Sequence, residues 1–368
     1  MKLLWLSPNL NHYKAQYLNH LNLDTDIDLT VLAGSGRENM GDKESDVELK
    51  FELIETNVSK DKFGFSKLIR KELYRQFAEF DWVLIPREKK NLLLFLYALW
   101  LKRKVRWKGR KVQLVSYNHP LIKSGPGKVT ALDKLLTRFY YKMYDKIIFY
   151  TKGSCELMIN EGFISSTKAF WVNNTIDTKE VRNNYEFSLP NSDDPTMLFI
   201  GRLIRSKRVD ICLEYYFDLK ENLEKKGKIL KLIIIGDGPE KIYVEKALLY
   251  DKTIEWKGAL VKEKEIAPLM KRSSMVFIPG LSGLSVNHAF SYGRPYFTNE
   301  NDGHGPEIEY VETGVNGFLL GNNKMKNLKM IEEYLLNDNS KLCLNAFNKG
   351  NELSIENWCK QFYASFNI

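Results

Sequence analysis

Short apolar runs alternate along most of the chain with longer segments whose apolar positions recur at helical spacing. The runs at 2–7 (KLLWLS), 28–32 (DLTVL), 47–54, 82–86 (WVLIP), 112–116 (VQLVS), 146–150 (KIIFY) and 169–172 predict strands. Helices are predicted over 13–23, 65–80, 91–103, 131–144 and 154–161. Unbroken apolar strands alternating with helices predict a parallel sheet covered on both faces. The rhythm breaks over 177–194, a polar stretch containing Pro190, which reads as a linker. It restarts with strands at 196–200 (TMLFI), 229–235 (ILKLIII), 253–255 and 275–278 (MVFI), and with helices at 209–223, 241–247 and 263–271. A final helix over 355–366 carries Trp358, Phe362 and Phe366 on one face, and that face needs a partner. The expected division is a domain at 1–172, a second at 173–350, and a terminal segment at 351–368 whose helix packs back on the first domain.

Composition narrows the class. A chain of 368 residues suits two domains, and 44% hydrophobic against 27% charged residues gives each enough apolar material for its own core. The four cysteines form no CxxC pair, so neither a disulfide framework nor a zinc site is expected, and cytoplasmic thiols are the default. The apolar run after Met1 is too short for a signal peptide. The net charge of +9 is unevenly spread: residues 61–111 hold fifteen Lys/Arg against five Asp/Glu. Within that window LLLFLYALWL (92–101) precedes KRKVRWKGRK. Ten apolar residues fall short of the roughly 20 that span a bilayer. The plain reading is a buried amphipathic helix feeding a basic edge strand. The reading preferred here is a patch resting on the inner face of an anionic membrane, each cation contributing about 1 kcal/mol. No nucleic-acid recognition motif accompanies the charge.

The candidate chemistry centres on residues 279–317, which open with PGLSGLSVNHAFSYGRP. A Gly/Ser turn leads from a strand into a helix over 284–292, and a helix start presents unpaired amides that suit a diphosphate. His288 lies one turn inside that helix. Upstream, LFIGRLIRSK (198–207) ends a strand at Gly201 and sets Arg202 and Lys207 around the following loop. Arginine offers a planar fork and lysine a point charge, and together they could hold a departing nucleoside diphosphate. Asp24-Thr25-Asp26 spells a DxD, yet it precedes the second strand and reads as a solvated turn; no metal is expected there. His20 reads as a helix-surface residue, and Gly236-Asp237-Gly238 lacks the wider GxGxxG of a redox-cofactor site.

GRLIRSKRVD, IIIGDGPE (233–240), WKGAL (256–260), PGLSGLSVNHAFSYGRP and GPEI with GVNGF occur in an order that resembles the nucleotide-binding half of glycosyltransferase family 4. NNTID (173–177) and YNHP (117–120) resemble further segments of that family. The resemblance implies an α/β protein of the GT-B fold, with two Rossmann-like domains facing each other across a cleft. It implies a retaining, metal-independent transferase that takes a sugar from a nucleotide sugar, UDP before GDP, and uses no cofactor. The acceptor implied is a glycan or lipid-linked glycan of bacterial surface polysaccharide.

Residue by residue, Arg202 and Lys207 match the diphosphate-binding pair, and Gly201 with the amides of Gly283, Leu284 and Ser285 matches the phosphate cradle. Leu260 matches the backbone that reads the nucleobase, His119 a histidine near the transferred sugar, and Glu307 the glutamate of the closing segment. Asn9 and His12 stand where the family has glycines and are acceptor candidates. The chain departs at the family's two glutamates, replaced here by Gly280 and His288. Donor-sugar contacts then fall to backbone or to Asp302, His304 or Glu307, and a neutral His288 would take a ribose hydroxyl. Two rivals share the architecture: a nucleotide-sugar-binding scaffold without catalysis, and a sugar-nucleotide epimerase.

Overall fold

The structure is a computed structural model and describes all residues except 8–9, 11, 35–47, 57–63, 122–128, 191–194, 302 and 367–368. The chain forms two units, Met1–Asn174 with Ile355–Ile368, and Thr175–Ser354.

The first unit runs β1 (Lys2–Ser7), α1 (His12–Leu23), β2 (Asp28–Gly34), β3 (Glu52–Thr56), α2 (Gly64–Gln76), β4 (Trp82–Leu84), α3 (Leu92–Trp107), β5 (Gln113–Asn118), α4 (Ala131–Met143), β6 (Lys146–Phe149), α5 (Lys152–Asn160) and β7 (Ala169–Trp171). The second begins with α6 (Thr178–Asn184), β8 (Thr196–Ile200), α7 (Val209–Glu224), β9 (Lys231–Ile235), α8 (Lys241–Tyr250), β10 (Ile254–Trp256) and α9 (Glu263–Arg272). It continues with β11 (Met275–Phe277), α10 (Ser285–Ser291), β12 (Tyr296–Asn299), β13 (Gly317–Leu320), α11 (Lys324–Leu336) and α12 (Ser340–Glu352). The chain then returns to the first unit as α13 (Ile355–Ala364).

Each unit is built on one sheet of parallel strands, in the order β3-β2-β1-β4-β5-β6-β7 in the first and β10-β9-β8-β11-β12-β13 in the second. Apolar strands such as TMLFI are buried along their whole length, as a sheet covered on both faces requires. The parallel sheet read from the alternation is the one observed, once in each unit.

Three elements differ from the pattern reading. Strand β3 starts at Glu52 and not at 47, although 47 itself lies outside the described residues. The basic run after 101 does not open an edge strand; α3 carries on to Trp107, since Lys and Arg are good helix formers. The stretch read as linker contains α6, started by Asp177, whose carboxylate accepts from the amides of Lys179 and Glu180.

Helix α13 completes the core of the first unit. Phe362 stacks on Trp5 with centroids 5.4 Å apart, and Trp358 lies 5.0 Å from Tyr17. Trp358 donates its indole N–H to Tyr117 at 3.0 Å, and Lys146 reaches the Ser365 carbonyl at 2.6 Å.

Candidate functional site

Strand order in the second unit reverses at β8 and β11, and ligands of open α/β sheets bind outside the carboxyl ends at such a point. The loops leaving these two strands hold most of the residues singled out above.

After β8 the chain passes Gly201 and Arg202 into a 3-10 turn over Arg205–Lys207. The loop is seated on the end of β9, where the Gly201 amide donates to Ile235 and the Leu203 amide to Asp237. Gly236 has to be a glycine here, because a Cβ would stand 1.9 Å from the Gly201 carbonyl oxygen. After β11 the amides of Gly280 and Leu281 donate to the carbonyls of Lys207 and Ser206 at 3.3 and 2.7 Å, stitching the two loops together. A Cβ at Gly280 would lie 2.2 Å from the Ser206 oxygen and 2.7 Å from the Lys207 carbonyl carbon. At Gly280 the neighbouring turn occupies the space any side chain would need.

The glycine turn is fixed from behind. Ser282 donates its amide to His304 Nδ1 at 3.0 Å, and its hydroxyl meets Thr298 at 3.2 Å and Tyr296 at 2.9 Å. Ser285 Oγ lies 2.8 Å from the same tyrosine hydroxyl. Held this way, the consecutive amides of Gly283, Leu284 and Ser285 make no hydrogen bond to any described residue. Glu307 is buried next to the turn, its Oε2 3.8 Å from where a Gly283 Cβ would be.

Lys207 is half-buried, its Cε 3.7 Å from the position of a Gly201 Cβ. Its ammonium makes no hydrogen bond or ion pair with a described residue. Burial and the nearby Arg202 guanidinium push its pKa down to about 8, with Glu307 partly offsetting them. The structure thus brings Gly201, Arg202, Lys207, Gly283, Leu284, Ser285 and Glu307 to one edge of one sheet. Leu260 follows the left-handed Gly258 at the end of β10, and its own amide and carbonyl make no hydrogen bond among the described residues.

Two histidines are engaged differently from the sequence expectation. His288 is buried on α10, with Nε2 3.0 Å from Glu263 at the start of α9. Glu263 also accepts from the Tyr292 hydroxyl at 2.5 Å. Burial disfavours the charge on His288, but the Glu263 carboxylate outweighs it and raises the histidine's pKa. The pKa of Glu263 is lowered in turn: burial opposes this, but His288 and Tyr292 prevail. The ring imagined for a ribose hydroxyl already has its Nε2 engaged by a carboxylate 25 positions upstream. His304, considered for the sugar, spends Nδ1 on the Ser282 amide and Nε2 on the Asn299 carbonyl, at 2.5 Å. Its ring is a brace for the turn.

Sequence reasoning missed Glu263 and Tyr292, and likewise the brace of Ser282, Tyr296 and Thr298. In the sequence Ser282 reads only as one of the two serines at the start of the helix, not as part of a brace.

In the first unit His119 is exposed just past β5, its ring edge-on to Tyr150 at 4.9 Å. The buried Arg87 guanidinium donates to the carbonyls of His119 and Pro120 and so holds this loop. Asn9 and Asp302 lie outside the described residues, as does the His12 side chain. The Asp24-Thr25-Asp26 segment is a turn in which Asp24 meets His20 at 3.1 Å and Asp26 accepts from Tyr363 at 3.2 Å. Among the described residues no helix is long and apolar enough to cross a membrane.

Residues 181–352 match the family described as "Glycosyl transferases group 1". A comparison with curated protein sequences returned no match. Among solved structures, HepE of Anabaena in complex with UDP superposes with a TM-score of 0.68 at 14% identity, covering 100% of both chains. A variant of S. aureus TarM, in complex with fondaparinux, alpha-GlcNAc-glycerol and UDP, gives 0.69 at 11% identity and covers 100% of both chains. Sucrose-phosphate synthase from Thermosynechococcus elongatus gives 0.67 at 12% identity, covering 100% of this chain and 98% of that one. Each of these likenesses extends over both units, whereas the family match lies within the second. The second unit carries a glycosyl transferases group 1 domain, set in a chain of GT-B fold.

Proposed function

We propose that the chain is a retaining, family 4 glycosyltransferase. It moves a sugar from a nucleoside-diphosphate-sugar to a hydroxyl of a glycan or lipid-linked glycan during bacterial surface polysaccharide synthesis. The observation that carries this reading is the unpaired Lys207 ammonium near Arg202, on a loop hydrogen-bonded to the glycine turn whose amides at 283–285 make no bond to a described residue. Positive charge that is desolvated and left without its own anion suits a diphosphate, and it stabilises the charge that builds as that group leaves. The bond from the anomeric carbon to the phosphate oxygen breaks with its electron pair going to the diphosphate. The acceptor oxygen bonds to that carbon on the same face and passes its proton to the departing group. In this reading side chains and amides meet the diphosphate's charge, and no metal is required.

Uridine is preferred over guanosine, a choice supported by the UDP and UDP-glucose held by HepE and the UDP held by TarM. Leu260 is the base contact and His119 the contact to the transferred sugar, as the family resemblance implies. We also assign the basic first unit to an acceptor presented at the inner membrane surface of the cytoplasm.

One observation favours a rival. With no room for a side chain at Gly280, the donor-sugar glutamate is absent, and a binding scaffold would tolerate that loss. Calorimetric titration with UDP-glucose and GDP-mannose, followed by assay of UDP release, separates the readings. Binding with slow donor hydrolysis is the expected result. Binding without hydrolysis or transfer points to the scaffold, and interconversion of donors without acceptor points to an epimerase. Failure to bind any nucleotide sugar removes the whole assignment.

A further inference from the structure

Helix α3 runs for 16 residues, about 24 Å. One side is core: Leu94, Phe95, Ala98, Leu101 and Val105 are buried. The opposite side is not the polar face that a surface helix normally shows. Leu93, Leu96, Trp100 and Trp107 are 64%, 43%, 49% and 89% exposed. Their spacing of i, i+3, i+7 and i+14 puts them in one stripe along the helix. Tyr97, and Tyr74 from the adjacent α2, flank Trp100 in near-parallel planes, with centroids 5.5 and 6.4 Å away. Lys104 donates to the Tyr74 hydroxyl at 2.7 Å and stands 5.1 Å from the Trp100 ring centre.

Beside the stripe lies a cleft of about 390 Å³ lined, among the described residues, by Arg70, Lys71, Arg75, Tyr74 and Tyr97, with Arg75 also donating to Glu72 at 3.0 Å. Exposed Arg103, Arg106 and Lys108 surround the end of the helix. Apolar and aromatic side chains in a row, rimmed by cations, match the layering of a bilayer surface, where acyl chains lie beneath anionic headgroups.

We infer that this face of α2 and α3 is a membrane-docking surface. It lies flat on an anionic bilayer, with the stripe in the headgroup–acyl boundary and lipid phosphates in the Arg70–Lys71–Arg75 cleft. Charge complementarity selects this occupant, and the aliphatic part of the stripe has no counterpart on a nucleic-acid backbone. The inference rests on the reading of the first unit as one that works at a membrane, and it is independent of the donor site.

The test uses the full chain in co-sedimentation with vesicles of phosphatidylcholine alone and of equal parts phosphatidylcholine and phosphatidylglycerol. The mixed vesicles should bind it at least ~10-fold more strongly, and added salt should weaken the binding. Replacing Trp100 and Trp107 together by Ser should lower partitioning ~10-fold or more. Arg70→Gln with Lys71→Gln should reduce the preference for phosphatidylglycerol. Both variants should keep the wild-type melting temperature and UDP affinity, because these side chains are exposed and belong to the other unit. No vesicle binding by wild type, with UDP binding intact, overturns the docking surface and leaves the transferase reading standing. Undiminished binding by the double tryptophan variant overturns the stripe. Tighter binding to polyuridylate than to either vesicle overturns the lipid assignment.

Discussion

Lys207 and His288 are two basic side chains withdrawn from water in the same unit, and their surroundings move them in opposite directions. His288 meets a carboxylate that its own fold supplies, so its pKa is raised despite burial. Lys207 loses water to burial and meets a second cation in Arg202, with Glu307 only partly offsetting them, and its pKa falls to about 8. A cation neutralised from within is part of the scaffold. One that folding leaves uncompensated costs stability and repays it when an anion arrives. This contrast separates structural from ligand-binding charge within one unit.

The sharpest way to break the contrast is to truncate each side chain in turn. Lys207→Ala should lower turnover roughly 10²–10³-fold while leaving the melting temperature unchanged or slightly raised. Donor hydrolysis and thermal unfolding measured together would show this, and wild-type turnover would remove Lys207 from the site. His288→Ala should do the reverse. It strands the buried Glu263 and should cost about 3–5 kcal/mol in denaturant unfolding, and UDP affinity should suffer less than in Lys207→Ala. If affinity collapses while stability holds, His288 is a ligand after all.

The smallest effect is on pH dependence. Nucleotide affinity should weaken by about tenfold per unit as pH rises past about 8, where free Lys207 loses its proton, and this slope should vanish in Lys207→Ala. The His288–Glu263 pair follows a different course in stability. The His288 contribution is complete below the ordinary imidazole value of 6.5 and is lost as pH rises through its raised pKa. The Glu263 contribution is complete above the ordinary 4.5 and is lost as pH falls through its depressed pKa. Unfolding curves across that range should lose both slopes in His288→Ala.

What the sequence made legible follows from where the information lies. Buried parallel strands are continuous apolar runs, so KLLWLS, TMLFI and MVFI stand out without any partner being known. The loop 201–207, with its glycine and three cations, and the Gly/Ser turn 280–285 could be singled out because each lies within a few residues of sequence. The pairing of His288 with Glu263 was not, since it joins two helices and neither residue marks the other in sequence. The glycine at 280 was visible in the letters, but what demands it was not: the carbonyl of Ser206 is brought close only when β8 and β11 lie side by side. The extension of α3 through KRKVRW was missed because a basic run carries no periodicity, although helix propensity favours it.

Helix α13 is separated by the whole second unit from the sheet whose core it completes. A fragment ending at Asn174 would leave Trp5, Tyr17 and Tyr117 facing solvent. No single cut in the chain yields both units intact. On a chain made from its amino terminus, the aromatic side of the first sheet stays bare until residues 355–366 have been added.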